Sequence, residues 1–382
     1  MDNLTHSLLG AALARTPLGK LHARSTLLLV VAANLPDIDI VSLLGGRETY
    51  LVHHRGITHS ILGVAAQIVL MAGVVRAWEA WRAQRGGPSP SPWRSLLLLC
   101  GAGLASHPLL DFLNTYGWRP WLPFDSTWYY GDLVFIVDPW LWLIFGGAAA
   151  LAGARSRSGN VCLALAAVAG GAVLFTSPMT PRFVLWTFPL AAAAIAGLRA
   201  TGIGARRPGR ILCAIAALAA IYLTLLGNCG AAAESRATHE LSAVADIEDA
   251  PGPVIRMPEP AAPWRWSILF DHPTCVYEQS VDLTRSSDPE QQRFDKHADD
   301  PRVQAALAEP CTAWWRSFAR VYYAQVDELD SGTFVRLQDA RYHAPWCSAE
   351  VLIQKDGTAL CLDELSGSPD AASLRSRDDR KR

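Results

Sequence analysis

Residues 35–60 read LPDIDIVSLLGGRETYLVHHRGITHS, and the rest of the chain is best approached from there. The stretch sets two aspartates, three histidines and an arginine beside segments greasy enough to lie in a bilayer. Ionisable side chains are expensive at membrane depth, so they mark a functional site by default. Asp37 and Asp39 follow Pro36, which removes an amide from the helix ladder and leaves irregular or freshly restarted backbone. His53, His54 and His59 fall in a short polar break before the next apolar run. Carboxylate oxygen with imidazole nitrogen suits zinc, manganese or iron better than calcium or magnesium. The expectation is a divalent metal at a membrane face, zinc first, with manganese or iron as alternatives.

Working outward, six apolar runs are long enough to span or nearly span a bilayer, the criterion being about 20 residues. They cover 57–78, 95–114, 133–153, 161–176, 183–198 and 211–228. Residues 4–14 are too short to span alone, and 26–44 are long enough but interrupted by Pro36-Asp37-Ile38-Asp39. Broken helices survive at that depth only where they line an enclosed or watery cavity. The fold class expected is an α-helical polytopic membrane domain over 1–228, followed by a small α+β extramembrane domain. About six to eight membrane helices are expected, some short or broken. The 382 residues are 51% hydrophobic and only 18% charged, too apolar for an ordinary soluble enzyme. A formal net charge of −1 shows no basic excess and argues against nucleic acid as a partner. MDNLTHSLLG lacks the basic start of a cleavable signal peptide and is expected to stay in the mature protein.

Orientation follows from the Lys/Arg bias of the loops. Arg15, Lys20 and Arg24 form one basic loop, and Arg76, Arg82, Arg85 and Arg94 another. Arg155 with Arg157, and Arg199 with Arg206, Arg207 and Arg210, make two more. All four share one parity, which puts them in the cytoplasm and both termini outside. His6, Asp37, Asp39, the 53–59 histidines, His107, Asp111, Asp125 and Asp132 then fall near the outer face, with Asp138 barely inside the fifth run. Chemistry-bearing residues far apart in the chain converge there.

Residues 229–263 read as a polar, Pro-containing linker and 366–382 as a disordered tail. Between them, 264–365 read as the α+β domain. Strands are expected at 264–270, 275–283, 333–342, 348–355 and 358–363, the last two flanking an Asp356-Gly357 hairpin turn. Helices are expected at 301–308 and 312–320. Of eight cysteines, Cys275, Cys311, Cys347 and Cys361 lie in this polar part and suggest two disulfides in an extracytoplasmic setting.

Each constellation carries a bland reading beside the chemical one. His107 and Asp111, at i and i+4, share a helix face and could hold one metal or simply hydrogen-bond each other. His53, His54 and His59 are three of ten histidines within seven positions, with Gly56 able to turn His59 back; the alternative is an exposed loop. Arg55 is a forked anion clamp, or the ion-pair partner of Glu48 or an aspartate. His6 is a ligand or a solvated residue near a helix start. Asp132 is a ligand, a carboxylate behind the ligands, or a helix cap. Trp128, Tyr129 and Tyr130 fit an interfacial aromatic belt. His22, His239, His272, His297 and His343 read as surface or structural.

D-N-L-T-H-S, N-L-P-D-I-D, H-H-R-G-I-T-H-S and S-H-P-L-L-D, in this order, resemble the bacterial inner-membrane YdjM-type family, named as membrane-bound metal-dependent hydrolases. The match is specific from Met1 to about Pro139 and weaker as far as Asn228. The C-terminal part resembles the extension of longer members, with Trp264-Arg265 and Phe318-Ala319-Arg320. The resemblance implies His6, Asp37, Asp39, His53, His54, His59, His107 and Asp111 as site positions. That donor count is enough for two ions. The function expected is hydrolysis by a metal-activated water, with Asp37, Asp39, Arg55 and Asp132 as catalytic candidates. The membrane setting points to an amphipathic or lipid-linked substrate, and Arg55 to a phosphoester. The alternative is a metal-binding or ion-translocating membrane protein without turnover.

Overall fold

The computed structural model describes residues 1–153, 156–244, 252–285, 290–343 and 345–361. Two compact units emerge. One comprises Met1–Ile40, Arg55–Ala232 and Met257–Trp266; the other comprises Val41–His54 with the described parts of Ala233–Arg256 and Ser267–Arg382. The 366–382 tail, Arg155 and the middle of the 229–263 linker lie outside the described residues.

The helices run α1 (Asn3–Leu13), α2 (Ser25–Asn34), α3 (Arg47–His53), α4 (Ile61–Ala83), α5 (Trp93–Phe112), α6 (Pro139–Leu151), α7 (Arg157–Thr176), α8 (Val184–Thr201), α9 (Ile203–Arg206) and α10 (Pro208–Val244). All but α3 and the end of α10 build the first unit. Among the described residues, six stretches are long and apolar enough to cross a bilayer: Ser25–Gly45, Ile61–Ala83, Trp93–Phe112, Arg157–Thr176, Val184–Thr201 and Pro208–Ser242. α6 is apolar but shorter. Half of the α5 span is buried against 11% of the α7, α8 and α10 spans, because α5 packs against α1, α2 and α4. Its Leu96, Leu99 and Leu104 meet Leu29 and Ala32 of α2 and Ala72 of α4.

The interruption at Pro36 is real. α2 ends at Asn34, and the chain continues as a 3-10 helix over Leu35–Gly45, the tighter winding that a missing amide favours. α1 is short, and Asp2 caps it by accepting from the Thr5 amide (3.0 Å) and hydroxyl (2.6 Å).

Beyond α10 come β1 (Val254–Pro258), β2 (Arg265–Asp271), β3 (Cys275–Asp282), β4 (Glu290–Asp295), α11 (Pro301–Ala308), α12 (Ala313–Phe318), β5 (Tyr322–Leu329), β6 (Gly332–Asp339), β7 (Ser348–Gln354) and β8 (Ala359–Cys361). They form two four-stranded sheets, ordered β1-β2-β3-β4 and β5-β6-β7-β8. In the second sheet Val335 faces Val326 on one side and Val351 on the other. That apolar row packs with Val303 and Ala306 of α11 and Trp315 of α12. Gly357 adopts the left-handed φ of +86° that the Asp356-Gly357 turn requires. α3 packs on α12, with the Arg47 guanidinium over the Trp314 ring at 5.3 Å.

Three features depart from the sequence reading. The 229–263 linker is in large part structured: α10 continues to Val244, and β1 follows. Ala233, Ala237 and Leu241 recur every four residues and are buried, so a helical stripe hides inside a stretch that looks merely polar. β4 and β5 went unread because their exposed residues are polar and their order comes from ladder hydrogen bonds to β3 and β6. Cys311 and Cys361 form a disulfide, while Cys275 and Cys347 are buried and free, so one bridge stands where two were expected.

The second unit also contains a buried ion pair. Arg341 and Asp339 have fully buried side chains, with Arg341 Nε 3.1 and 3.0 Å from the two carboxylate oxygens. Nη2 donates to Asp339 Oδ2 (2.6 Å) and to the Phe318 carbonyl (2.9 Å). The amides of Arg341 and Arg320 donate to the same carboxylate.

Candidate functional site

Close helix packing places the cluster. At Gly103 of α5 a Cβ would lie 2.5 Å from the Ala32 Cβ of α2, so only glycine allows this approach. One turn further along α5, His107 Nδ1 reaches the Ala33 carbonyl at 2.7 Å, and Asp111 follows on the same face. The break after α2 delivers Asp37 and Asp39. The chain before α4 turns at Arg55, in left-handed backbone (φ +53°), and a 3-10 turn over Ile57–His59 presents His59.

His6, His59, His107 and Asp111 are each at most 1% exposed. His59 Nε2 and His107 Nε2 stand 3.0 Å apart. Asp37 Oδ1 lies 3.4 and 3.3 Å from these two nitrogens, and Asp111 Oδ2 lies 3.5 and 3.4 Å from them. His6 stacks on the His107 ring at 3.7 Å with Nε2 3.4 Å from Asp111 Oδ1. Neither ring nitrogen of His6 makes a hydrogen bond.

Proton bookkeeping makes this arrangement informative. A carbonyl only accepts, so His107 carries its proton on Nδ1, and in the neutral ring Nε2 is a bare lone pair. His59 Nδ1 sits 3.2 Å from Asp39 Oδ2, a carboxylate that also accepts from the Arg55 amide (3.0 Å) and the Thr58 hydroxyl (3.2 Å). The Thr58 hydroxyl lies 3.0 Å from the same Nδ1; in the tautomer in which Nδ1 donates to Asp39, His59 Nε2 carries no proton either. Two lone pairs and two carboxylate oxygens then face one another, and they repel unless a proton or a cation stands among them.

The spacing matches that of a metal's donors. Ligands about 2.0–2.1 Å from a tetrahedral ion lie about 3.3–3.4 Å from each other. The Asp37–His59–His107 set and the Asp111–His59–His107 set both fall close to that edge length. Three-donor groups formed by Asp37, His59 and His107, and by His6, His107 and Asp111, each keep their ligand atoms within 4.8 Å of one another.

Supports hold each donor in turn. Asp39 and Thr58 brace His59, and the Ala33 carbonyl braces His107. Arg55 Nη2 lies 3.1 Å from Asp111 Oδ1, which also takes the α-amino group of Met1. Asp37 Oδ2 accepts from Asn3 Nδ2 at 2.8 Å. Its side chain is 19% exposed, whereas the other donors are almost sealed.

The candidates from sequence separate accordingly. His6, Asp37, His59, His107 and Asp111 come together, with Asp39 directly behind His59. Arg55 is buried: Nη1 donates to Asn114 Oδ1 and to the Asp111 and Gly117 carbonyls at 3.0–3.2 Å, and the guanidinium lies over Tyr116. It is therefore the ion-pair partner of an aspartate, the second of its two expected readings. His53, the last residue of α3, is exposed, and His54, the cap that follows it, stacks on Tyr50. Asp132, buried in left-handed backbone (φ +49°), lies in the loop after α5, outside the two donor groups just named. Asn3, Thr58 and Asn114 are not among the sequence candidates, although each sits within three residues of a donor, Asn3 and Thr58 inside the motifs and Asn114 just beyond S-H-P-L-L-D.

The assembly is thus a multi-pass membrane unit with a sealed imidazole–carboxylate cluster at a broken helix. The family model described as YdjM inner membrane protein matches residues 1–182, which contain the whole cluster, and the resemblance read from the motifs stands. A Bacillus subtilis (strain 168) protein, printed as Uncharacterized protein YfhP, is 25% identical over 173 residues, covering 43% of this chain and 50% of that protein. The chain therefore spans about half the length of this relative. No solved structure matches the chain.

Proposed function

We propose that the cluster holds a divalent metal, zinc first, and that the protein is a membrane-bound metal-dependent hydrolase of an amphipathic or lipid-linked substrate. The observation that carries this reading is the pair of imidazole nitrogens 3.0 Å apart with a carboxylate oxygen on either side, each 3.3–3.5 Å away. With His59, His107 and Asp111 as the three protein donors and Asp37 left to act on the water, a fourth position stays open, the donor set of catalytic rather than closed structural zinc. A bound ion there would polarise the scissile group and acidify a water. The residues do the rest. Asp39 and the Ala33 carbonyl fix the tautomers of His59 and His107, as partners behind metal-binding histidines do. Arg55 orients Asp111. Asp37, the donor most open to its surroundings, is placed to accept a proton from an incoming water. Arg55 is buried, with both Nη groups committed inside the protein, so the preference for a phosphoester loses the residue that motivated it, and the substrate is defined by its amphipathic character. With the basic loops taken as cytoplasmic, this reading puts the cluster near the outer face of the cytoplasmic membrane and the C-terminal unit outside.

Elemental analysis of purified wild type and a His107→Ala/Asp111→Ala variant, joined to a hydrolysis screen of lipid esters and phosphodiesters, tests this. Metal in the wild type alone, with turnover, is the expected result. Equal metal in both proteins rejects the ligand set. Metal loss with no turnover by wild type moves the protein to the non-enzymatic metal-binding reading.

A further inference from the structure

A second feature of the membrane unit lies away from the cluster. α1, α6, α7 and α8 enclose a cavity of about 490 Å³, within the size range of sites that hold small apolar ligands. Leu8, Trp142 and Phe188 line one part, and Ala196, Asn160 and Arg199 line another. From Phe188 to Ala200 the α8 wall runs for about 18 Å at 1.5 Å per residue. Its lining is otherwise leucine, isoleucine, alanine and glycine, so water gains little there. In a bilayer such a groove fills with hydrocarbon.

One end is cationic. Arg199 Nε donates to Asn160 Oδ1 at 2.9 Å, and Nη1 donates to the Ala150 carbonyl near the end of α6. Arg15, in the loop after α1, stands close enough for the Arg199 charge to act on it: burial first, and that charge second, lower its guanidinium from the ordinary value. Arg15 Nε is buried and makes no hydrogen bond, and it packs where a Cβ on Gly153 would approach to 2.9 Å. Both guanidiniums thus pack at the end of α6, Arg199 on the Ala150 carbonyl and Arg15 beside Gly153; like charges brought to one place repel, and an anion there relieves the repulsion with forked hydrogen bonds.

We propose that this groove binds an anionic membrane phospholipid, one acyl chain lying along α8 and the phosphate held by Arg15 and Arg199. The basic loops expected at the cytoplasmic face include both residues, and anionic lipid enriches that leaflet. The hydrocarbon length and the paired cations sit at the two places where such a lipid needs them. The proposal does not depend on the metal cluster or on any reaction.

The test uses the full chain in detergent, incubated with phosphatidylglycerol or phosphatidylcholine of identical acyl chains and read by native mass spectrometry. Wild type is expected to retain one phosphatidylglycerol and to release phosphatidylcholine. Arg15→Ala/Arg199→Ala should lose that preference by about tenfold or more, as the loss of a charge-assisted contact implies. Ala196→Phe, which fills the groove and leaves the cations in place, should lose the bound phosphatidylglycerol. Inorganic phosphate should not displace the bound lipid. Equal retention of the two lipids by wild type, or phosphatidylglycerol retention unchanged in both variants, overturns the proposal. If the arginine variant fails to fold, Ala196→Phe and the wild-type lipid preference still decide.

Discussion

The His/Asp cluster of the membrane unit and the Arg341–Asp339 pair of the C-terminal unit are both sealed from water, but they are completed differently. In the pair, donors face acceptors: a guanidinium meets a carboxylate that also takes two backbone amides, and Nη2 of the same guanidinium also finds a carbonyl. In the cluster, acceptors face acceptors. Burial penalises any polar group left without a partner, so the two arrangements have different meanings. A closed network reads as structure. A set of lone pairs aimed at one point, each braced from behind, reads as a place for a guest.

The comparison can be broken or sharpened by experiment. Arg341→Ala leaves Asp339 charged and buried, and should destabilise the C-terminal unit by about 3–5 kcal/mol. Chemical denaturation should show this, while replacing both partners by apolar residues should cost far less. For the cluster the reverse is expected. His59→Ala/His107→Ala removes mutually repelling groups, so the protein should stay folded yet lose its response to zinc. In wild type, zinc at a thousandfold excess over Kd should add about 4 kcal/mol to stability, measurable as a concentration-dependent rise in Tm. A zinc-independent Tm in wild type would put the cluster in the same structural category as the pair.

Smaller effects probe the supports. Asp39→Asn keeps the shape but weakens the hold on the His59 tautomer, and should reduce zinc affinity by about 10–100-fold in a chelator competition. In the C-terminal unit, burial works to raise the Glu278 carboxyl. Its hydrogen bonds from His343 (2.8 Å) and Ser267 outweigh this and hold it below the usual carboxylate range. A carboxyl lowered in the folded state stabilises fully above its unfolded value, roughly pH 4.3, and loses that contribution as pH falls through the folded value. Thermal melts of wild type should therefore fall on acidification, and those of Glu278→Gln should fall less steeply.

Much of the site could be read from the chain because an ionisable residue within an apolar run stands out against its neighbours. His6, Asp37, His59, His107 and Asp111 were found that way, and their meeting at one place agrees with the convergence inferred from loop parity. Arg55 was ambiguous for a physical reason: a guanidinium serves a bound anion or an internal carboxylate equally well, and only its surroundings choose. His53 stands near His59 in sequence, but it ends α3 and is exposed, with the left-handed turn at Arg55 between the two. The continuation of α10 escaped notice because its buried face is mostly alanine, which hydropathy barely registers.

The sequence by itself determined where the apolar spans lie, that Pro36 breaks one of them, and which polar residues are carried into the bilayer, because these follow from composition and backbone chemistry summed along the chain. Only the tertiary structure decided which nitrogen of each imidazole is bare and which carboxylate faces it. Hydrogen-bond direction depends on distances between helices, and these are set by contacts such as Gly103 against Ala32 that no local stretch contains.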